Sequence, residues 1–249
     1  MKNVIAVLLV AGMSAAASAQ TLLPGAETGH YVINLDGSIA GGESGAVVNE
    51  NYDNWRAAAQ GGASNLLGLY NTAGRELADD LNMINVGAGW LDSCGFSVAN
   101  ANGPAGSALT GGSGTVRFYR QSDGGFIDGF NFNLPALNLA PGTSSRISFA
   151  AGALASLEIY LPSAIFASVQ YSTLTGTGGF TIANAGQQIR GPINTGSSTD
   201  ALWDDGAGFN FGGSPAANSA WFVKTDNVPA PGSIALMGIA GLVAGRRRR

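Results

Sequence analysis

The chain has 249 residues, and only 11% of them are charged: 12 basic and 16 acidic side chains give a net charge of −4. Without Lys2 and the four arginines at the C-terminus the basic count falls to 7, and the remainder carries −9, which excludes nucleic acid and anionic lipid as partners because both require positive surface. A single cysteine, Cys94, excludes an intrachain disulfide.

The first element is MKNVIAVLLVAGMSAAASAQ. One basic residue, a short apolar run and small residues at Ala17 and Ala19 give the three-part layout of a secretory signal peptide over residues 1–19, with cleavage leaving Gln20 as the new N-terminus. The apolar run is short of the ~20 residues of a membrane span. Residues 20–227 are long enough for one sizeable domain.

TGHYVINL opens that domain as a first strand, with His30, the sole histidine, as an edge or surface residue. One imidazole cannot build a histidine-rich zinc site, and no G-x-S-x-G motif accompanies it. ENYDNWRAAAQ predicts two helical turns beginning near Asn51 and stopped by Gly61 and Gly62. In LDSCGFSVAN, alternation places Trp90, Cys94, Phe96 and Val98 on one face, with Cys94 a small core residue. GTVRFYRQ places Val116 and Phe118 inward and Thr115, Arg117 and Tyr119 outward. SRISFA sets Ile147 and Phe149 against Arg146 and Ser148, and SLEIYL sets Leu157, Ile159 and Leu161 against Glu158 and Tyr160. IFASVQYS and SAWFVKT continue the period of two. Glycine- and proline-rich pieces such as QSDGGF and LAPGTSS recur about every ten residues. The expected fold is all-β, an antiparallel β-sandwich of jelly-roll type.

The chain closes with VPAPGSIALMGIAGLVAGRRRR. Residues 234–244 form an apolar stretch about 17 Å long as a helix, at roughly 1.5 Å per residue, against a hydrocarbon core of ~30 Å. Such a segment suits transient membrane insertion, with Arg246, Arg247, Arg248 and Arg249 held at the cytoplasmic headgroups. Proline motif, apolar helix and terminal basic cluster, in that order over residues 228–249, resemble the PEP-CTERM sorting signal of bacterial surface proteins. The resemblance implies an exosortase-type membrane enzyme as a partner that recognises the motif Pro229, Ala230, Pro231 and Gly232 and removes the tail. Alanine stands here where that family has glutamate. A plain tail anchor is the alternative.

A second resemblance covers the middle of the chain. Ala78-Asp79-Asp80, Arg117-Phe118-Tyr119, Asp200-Ala201-Leu202-Trp203 and Phe211 through Asn218 are similar to an uncharacterised domain of PEP-CTERM-type proteins from planctomycete-like bacteria. It implies export and a β fold, with no catalytic role attached to any residue.

The candidate chemistry is sparse. Glu76, Asp79 and Asp80 cluster, Asp204 and Asp205 are adjacent, and Asp123 and Asp128 flank a glycine pair. None has the spacing of a calcium loop, and adjacent aspartates in a regular strand face opposite ways. Trp55 and Trp203 lie beside polar and acidic residues, as a sugar-stacking platform would, while core or inter-sheet packing is the favoured account of Trp203. Trp203, Asp204 and Asp205 are the candidate ligand-binding residues; no catalytic residue, metal ligand or cofactor is assigned. The expected function is a non-catalytic surface or matrix protein, structural or adhesive, in the setting of exopolysaccharide. The alternatives are a carbohydrate-binding module, with calcium as a stabiliser, and an extracellular hydrolase.

Overall fold

The fold comes from a computed structural model that describes residues 22–40, 50–56, 62, 65–84, 88–199, 201–205, 207–210 and 218–226. The expected signal peptide with Ala17, Ala19 and Gln20, and the tail from 228 to 249, lie outside these residues, as do Asp200 and residues 211–217 of the second resemblance.

In chain order the first strands are β1 (Ala26–Ile33), β2 (Tyr52–Asp53), β3 (Asn65–Asn71), β4 (Leu77–Asn82), β5 (Gly89–Asn100), β6 (Ala108–Arg120), β7 (Phe126–Leu134) and β8 (Thr143–Phe149). After a one-turn helix, α1 (Ala151–Ala155), come β9 (Tyr160–Leu161), β10 (Ala164–Thr177), β11 (Ala185–Gly191), β12 (Ala201–Asp204), β13 (Ala207–Asn210), β14 (Asn218–Ser219) and β15 (Trp221–Asp226). They form two sheets. The larger has nine strands built around β1-β8-β5-β11-β14, and the smaller has six in the order β13-β12-β4-β10-β6-β7. The protein is therefore all-β, as the alternation implies. Its pairing is antiparallel with one correction: β1 runs parallel to β8 along the edge of the larger sheet.

Period-two alternation builds the shared core. Cys94, Phe96, Val98 and Ile147 from the larger sheet meet Val116, Phe118, Ile165 and Val169 from the smaller, all fully buried. Phe96 lies at ring-centroid distances of 4.9 Å from Phe132 and 5.9 Å from Phe149, and Phe149 is 5.0 Å from Phe130. Each such ring contributes about 1.5–3 kcal/mol by leaving water. Burial without a counter-charge pushes the Cys94 thiol far above its usual range, so it is inert in the native fold.

Three local expectations are corrected. The chain from Asn51 is extended rather than helical: Asn51 Oδ1 accepts the Thr225 N–H at 2.6 Å and its Nδ2 donates to the Ile84 carbonyl at 3.0 Å. These long-range bonds outweigh two turns of local helix, which is marginal alone. Trp90 does not share the face of Cys94; the register of β5 against β15 slips between Ser93 and Leu91, so Leu91 enters the core and Trp90 stacks edge-on against exposed Tyr160 at 5.4 Å. Finally, SLEIYL is a turn leading into two strand residues, although Ile159 and Leu161 are buried and Tyr160 exposed as the pattern requires.

The outer faces of the two sheets differ. On the larger sheet, Trp55 and Phe222 lie over Gly95, where a Cβ would come within 2.6 Å of Trp55 and 2.4 Å of Phe222. Arg146 sits over the Trp55 ring at 5.5 Å and is only 3% exposed. Trp55 is thus a packing residue, 4% exposed, rather than a sugar platform. His30 is on an edge strand as expected, but its ring is covered, edge-on to Trp55 at 5.5 Å and 2.7 Å from Ser148 Oγ. Burial and the nearby Arg146 charge bring its pKa down to about 4. Among the described residues, no helix is long and apolar enough to cross a membrane.

Candidate functional site

The outer face of the six-stranded sheet follows directly from strand register. Trp203 on β12 pairs with Ala78 on β4, Ala78 with Ser168 on β10, and Ser168 with Arg117 on β6. In the neighbouring row Asp80 pairs with Phe166 and Phe166 with Tyr119. Side chains on one face of a strand recur every second residue, so these two rows share a surface. Its end is aromatic. Tyr119, Phe166 and Trp203, with Ala201, Leu202 and Gly124, line a cavity of about 360 Å³. Tyr119 stands edge-on to Trp203 at 5.7 Å and 84°, and Phe126, 57% exposed, stands edge-on to Tyr119 at 5.8 Å.

Polar groups beside the cavity are bound to one another. Tyr119 Oη donates to Glu76 Oε1 at 2.8 Å, Ser168 Oγ donates to the same oxygen, and Arg117 Nη1 reaches Glu76 Oε2 at 3.2 Å and Gln170 Oε1 at 3.0 Å. Burial, then the hydrogen bond to Glu76, raises the Tyr119 hydroxyl to about 12, so it donates throughout the neutral range.

The expected group Trp203, Asp204 and Asp205 is divided by the strand. Trp203 is half-buried on the outer face, a wall of the cavity, and not in the inter-sheet core. Asp204 points inward, where Tyr70 Oη donates to its Oδ2 and Arg75 Nη2 lies 2.8 Å from the same atom. Burial raises its pKa, opposed by those two partners. Asp205 is exposed at the turn, at φ 50°, and its N–H donates to the Glu76 carbonyl at 2.9 Å. Alternation along β12 turns Trp203 and Asp204 to opposite faces, and Asp205 lies past the strand in the turn. Residues missing from the expectation are Phe166 and Glu76 as parts of this surface. The outward placement of Tyr119 in GTVRFYRQ was the available signal.

Asp79 and Asp80 do face opposite sides of β4, whose register against β10 is unbroken. They nevertheless meet one group. Ser198 lies beside the β4 edge, past the Asn82–Ser197 bridge, and its Oγ is 2.8 Å from Asp80 Oδ1 and 3.4 Å from Asp79 Oδ1. A hydroxyl at a strand edge reaches both faces without a bulge. Asp79 is wholly buried, and burial followed by the Asp80 charge raises its pKa well above the usual range. Its Oδ2 makes no hydrogen bond. Asp123 is paired with Arg120 at 3.0 Å on the exposed hairpin, and Asp128 Oδ1 accepts the Gly129 N–H at 2.7 Å. Among the described residues, no three histidine, cysteine or carboxylate side chains are grouped to hold a metal ion.

A second depression, of about 450 Å³, lies on the same face, lined by Leu35, Ser113, Thr115, Asn131, Asn133 and Ser172 among others. Gly112, at φ 145°, permits the bulge in which Ser172 is the extra residue of β10; a Cβ there would meet the Thr173 carbonyl at 2.1 Å. Comparison with family models, with curated proteins and with solved structures gave no match to this chain.

Proposed function

We propose that this chain is an exported, non-catalytic protein of the cell surface or extracellular matrix, adhesive in action, whose folded part is a β-sandwich of jelly-roll type. A signal peptide ending at Ala17-Ser18-Ala19 delivers it, and a PEP-CTERM-like tail, from Pro229 to the terminal arginines, is handled by an exosortase-type enzyme. The observation that carries the adhesive role is the open aromatic cavity of Tyr119, Phe166 and Trp203. Apolar concavities with a few fixed polar neighbours are the usual form of small-ligand sites.

The cavity also favours the carbohydrate-binding reading, which gives adhesion a mechanism. Pyranose rings carry an apolar C–H face that stacks on aromatic rings and hydroxyls that need polar neighbours; Trp203 offers the first, and polar side chains farther along the same face offer the second. Hydrolysis needs two free carboxyls on either side of a bond. Glu76, bonded to the cavity residue Tyr119, is occupied by Arg117, Tyr119 and Ser168. Polysaccharide pull-down with the purified full chain tests the reading. Retention lost in Trp203→Ala, with the melting temperature kept, supports it; equal retention by both proteins refutes it. Mass spectrometry of the native termini tests delivery, and an intact chain in the cytosol would refute that part.

A further inference from the structure

Resting on the carbohydrate reading above, we propose that the outer face of the six-stranded sheet is one continuous track for a single neutral polysaccharide chain. The track runs along β6 and β10 from the aromatic cavity to the Ser/Thr/Asn depression. Three observations support it.

The first is continuity. Tyr119, Arg117, Thr115 and Ser113 follow one another on the same face of β6, flanked by Phe166, Ser168, Gln170 and Ser172 of β10. From Tyr119 to Ser113 is about 20 Å at roughly 3.3 Å per residue, room for several sugar units rather than one.

The second is the order of chemistry along that line. The walls of the cavity meet nearly at right angles, so a ring stacked on Trp203 turns its edge to Tyr119, which suits the end of a chain. Beyond it the depression is lined by short neutral hydrogen-bonding groups. Thr115 Oγ1 donates to Asn131 Oδ1 at 2.8 Å, and the Ser113 and Ser172 hydroxyls are 3.2 Å apart. These bonds engage the Asn131 oxygen and leave its amide N–H groups, on an exposed residue, available to an incoming hydroxyl.

The third is charge. The arginines on and beside this face are committed to carboxylates: Arg117 to Glu76, Arg75 to Asp204 and Arg120 to Asp123. With 7 basic against 16 acidic residues once both ends are removed, the protein repels an acidic polymer and accepts a neutral one.

The test is calorimetric titration of the full chain with cellobiose and cellohexaose, xylobiose and xylohexaose, and mannobiose and mannohexaose, with oligogalacturonate as the acidic probe. The expected result is binding of a neutral hexasaccharide and none of oligogalacturonate. The double variant Asn131→Ala/Asn133→Ala alters two exposed side chains, so its fold is safe; it should weaken the hexasaccharide about tenfold and leave the disaccharide of the same sugar unchanged. Trp203→Ala, or the milder Trp203→Phe if alanine unfolds the protein, should weaken both. If the tryptophan variant loses binding while the asparagine variant keeps full hexasaccharide affinity, the track is overturned and only a one-ring pocket stands. Failure of every neutral probe overturns the track and the carbohydrate reading together. Preference for oligogalacturonate overturns the choice of a neutral polymer.

Discussion

Replacing His30 with glutamine should abolish one specific component of acid destabilisation. His30 lies under Trp55 and beside Arg146, and both burial and that positive charge lower its pKa from 6.5 to about 4. Between these values the unfolded chain binds a proton that the folded chain does not. Stability from this group is therefore complete above pH 6.5, falls as pH drops through the interval, and is lost once pH passes below about 4. A shift of this size corresponds to about 3.5 kcal/mol at roughly 1.4 kcal/mol per pH unit, and partial solvent access reduces that to about 2–3 kcal/mol.

Glutamine can keep the hydrogen bond to Ser148 and has no proton to gain. Urea unfolding of both proteins at half-unit steps from pH 7.5 to 4 gives the difference directly, because titrating carboxylates contribute equally to each. Relative to His30→Gln, the natural protein should lose about 2–3 kcal/mol across that range. A gap that stays constant with pH, or an imidazole that titrates by NMR near 6.5, would refute the reasoning.

Four further outcomes are expected. Asp79→Asn should stabilise the protein at pH 7: burial and the Asp80 charge raise the Asp79 pKa, so ionisation of the unfolded chain above about 3.8 works against folding, and the gain should vanish in acid. Lower stability of the variant at pH 7 in urea melts would contradict this. Gly95→Ala should cost about 1–3 kcal/mol, since its Cβ must displace Trp55, Phe222 or the Ile147 carbonyl, and thermal melting reads it out. Glu76→Gln should bring the Tyr119 hydroxyl down from about 12 by removing the charge it donates to, followed by ultraviolet titration of the phenolate. Iodoacetamide should leave Cys94 unmodified in the native protein and label it only in denaturant.

The legible parts of this fold were those decided within one strand. Val116 and Phe118 turn inward, and Arg117 and Tyr119 outward, because alternation is a local property of extended backbone. What alternation cannot reveal is a slip in register. Trp90 and Leu91 exchange roles because β5 bulges against β15, and nothing in WLDSC marks that bulge. Asn51 and Asp53 look helix-compatible in isolation, yet their side chains are spent on Thr225, Ile84 and Trp55 backbone groups supplied mostly from distant sequence. The cavity was hidden for the same reason: Tyr119, Phe166 and Trp203 come from three strands, and only the pairing of β10 with β6 and of β4 with both β10 and β12 gathers them.

The two outer faces differ in what covers them. By pattern alone, Arg146 and Ser148 on β8 are as solvent-facing as Arg117 and Tyr119 on β6. In the folded chain the first pair is buried, because a glycine at position 95 leaves room for Trp55 and Phe222 to pack closely against that sheet. A polar face covered in this way must satisfy its groups internally, and Arg146 is held by Glu27 at 2.8 Å. The face bearing Arg117 and Tyr119 retains two open depressions over the described residues, with hydroxyl and amide groups still able to bond outward. A surface that keeps both aromatic walls and unspent hydrogen-bonding capacity is suited to an amphiphilic ligand such as a sugar chain. On the other sheet the same alternation, once covered, packs Arg146 against Trp55 and Ser148 against His30.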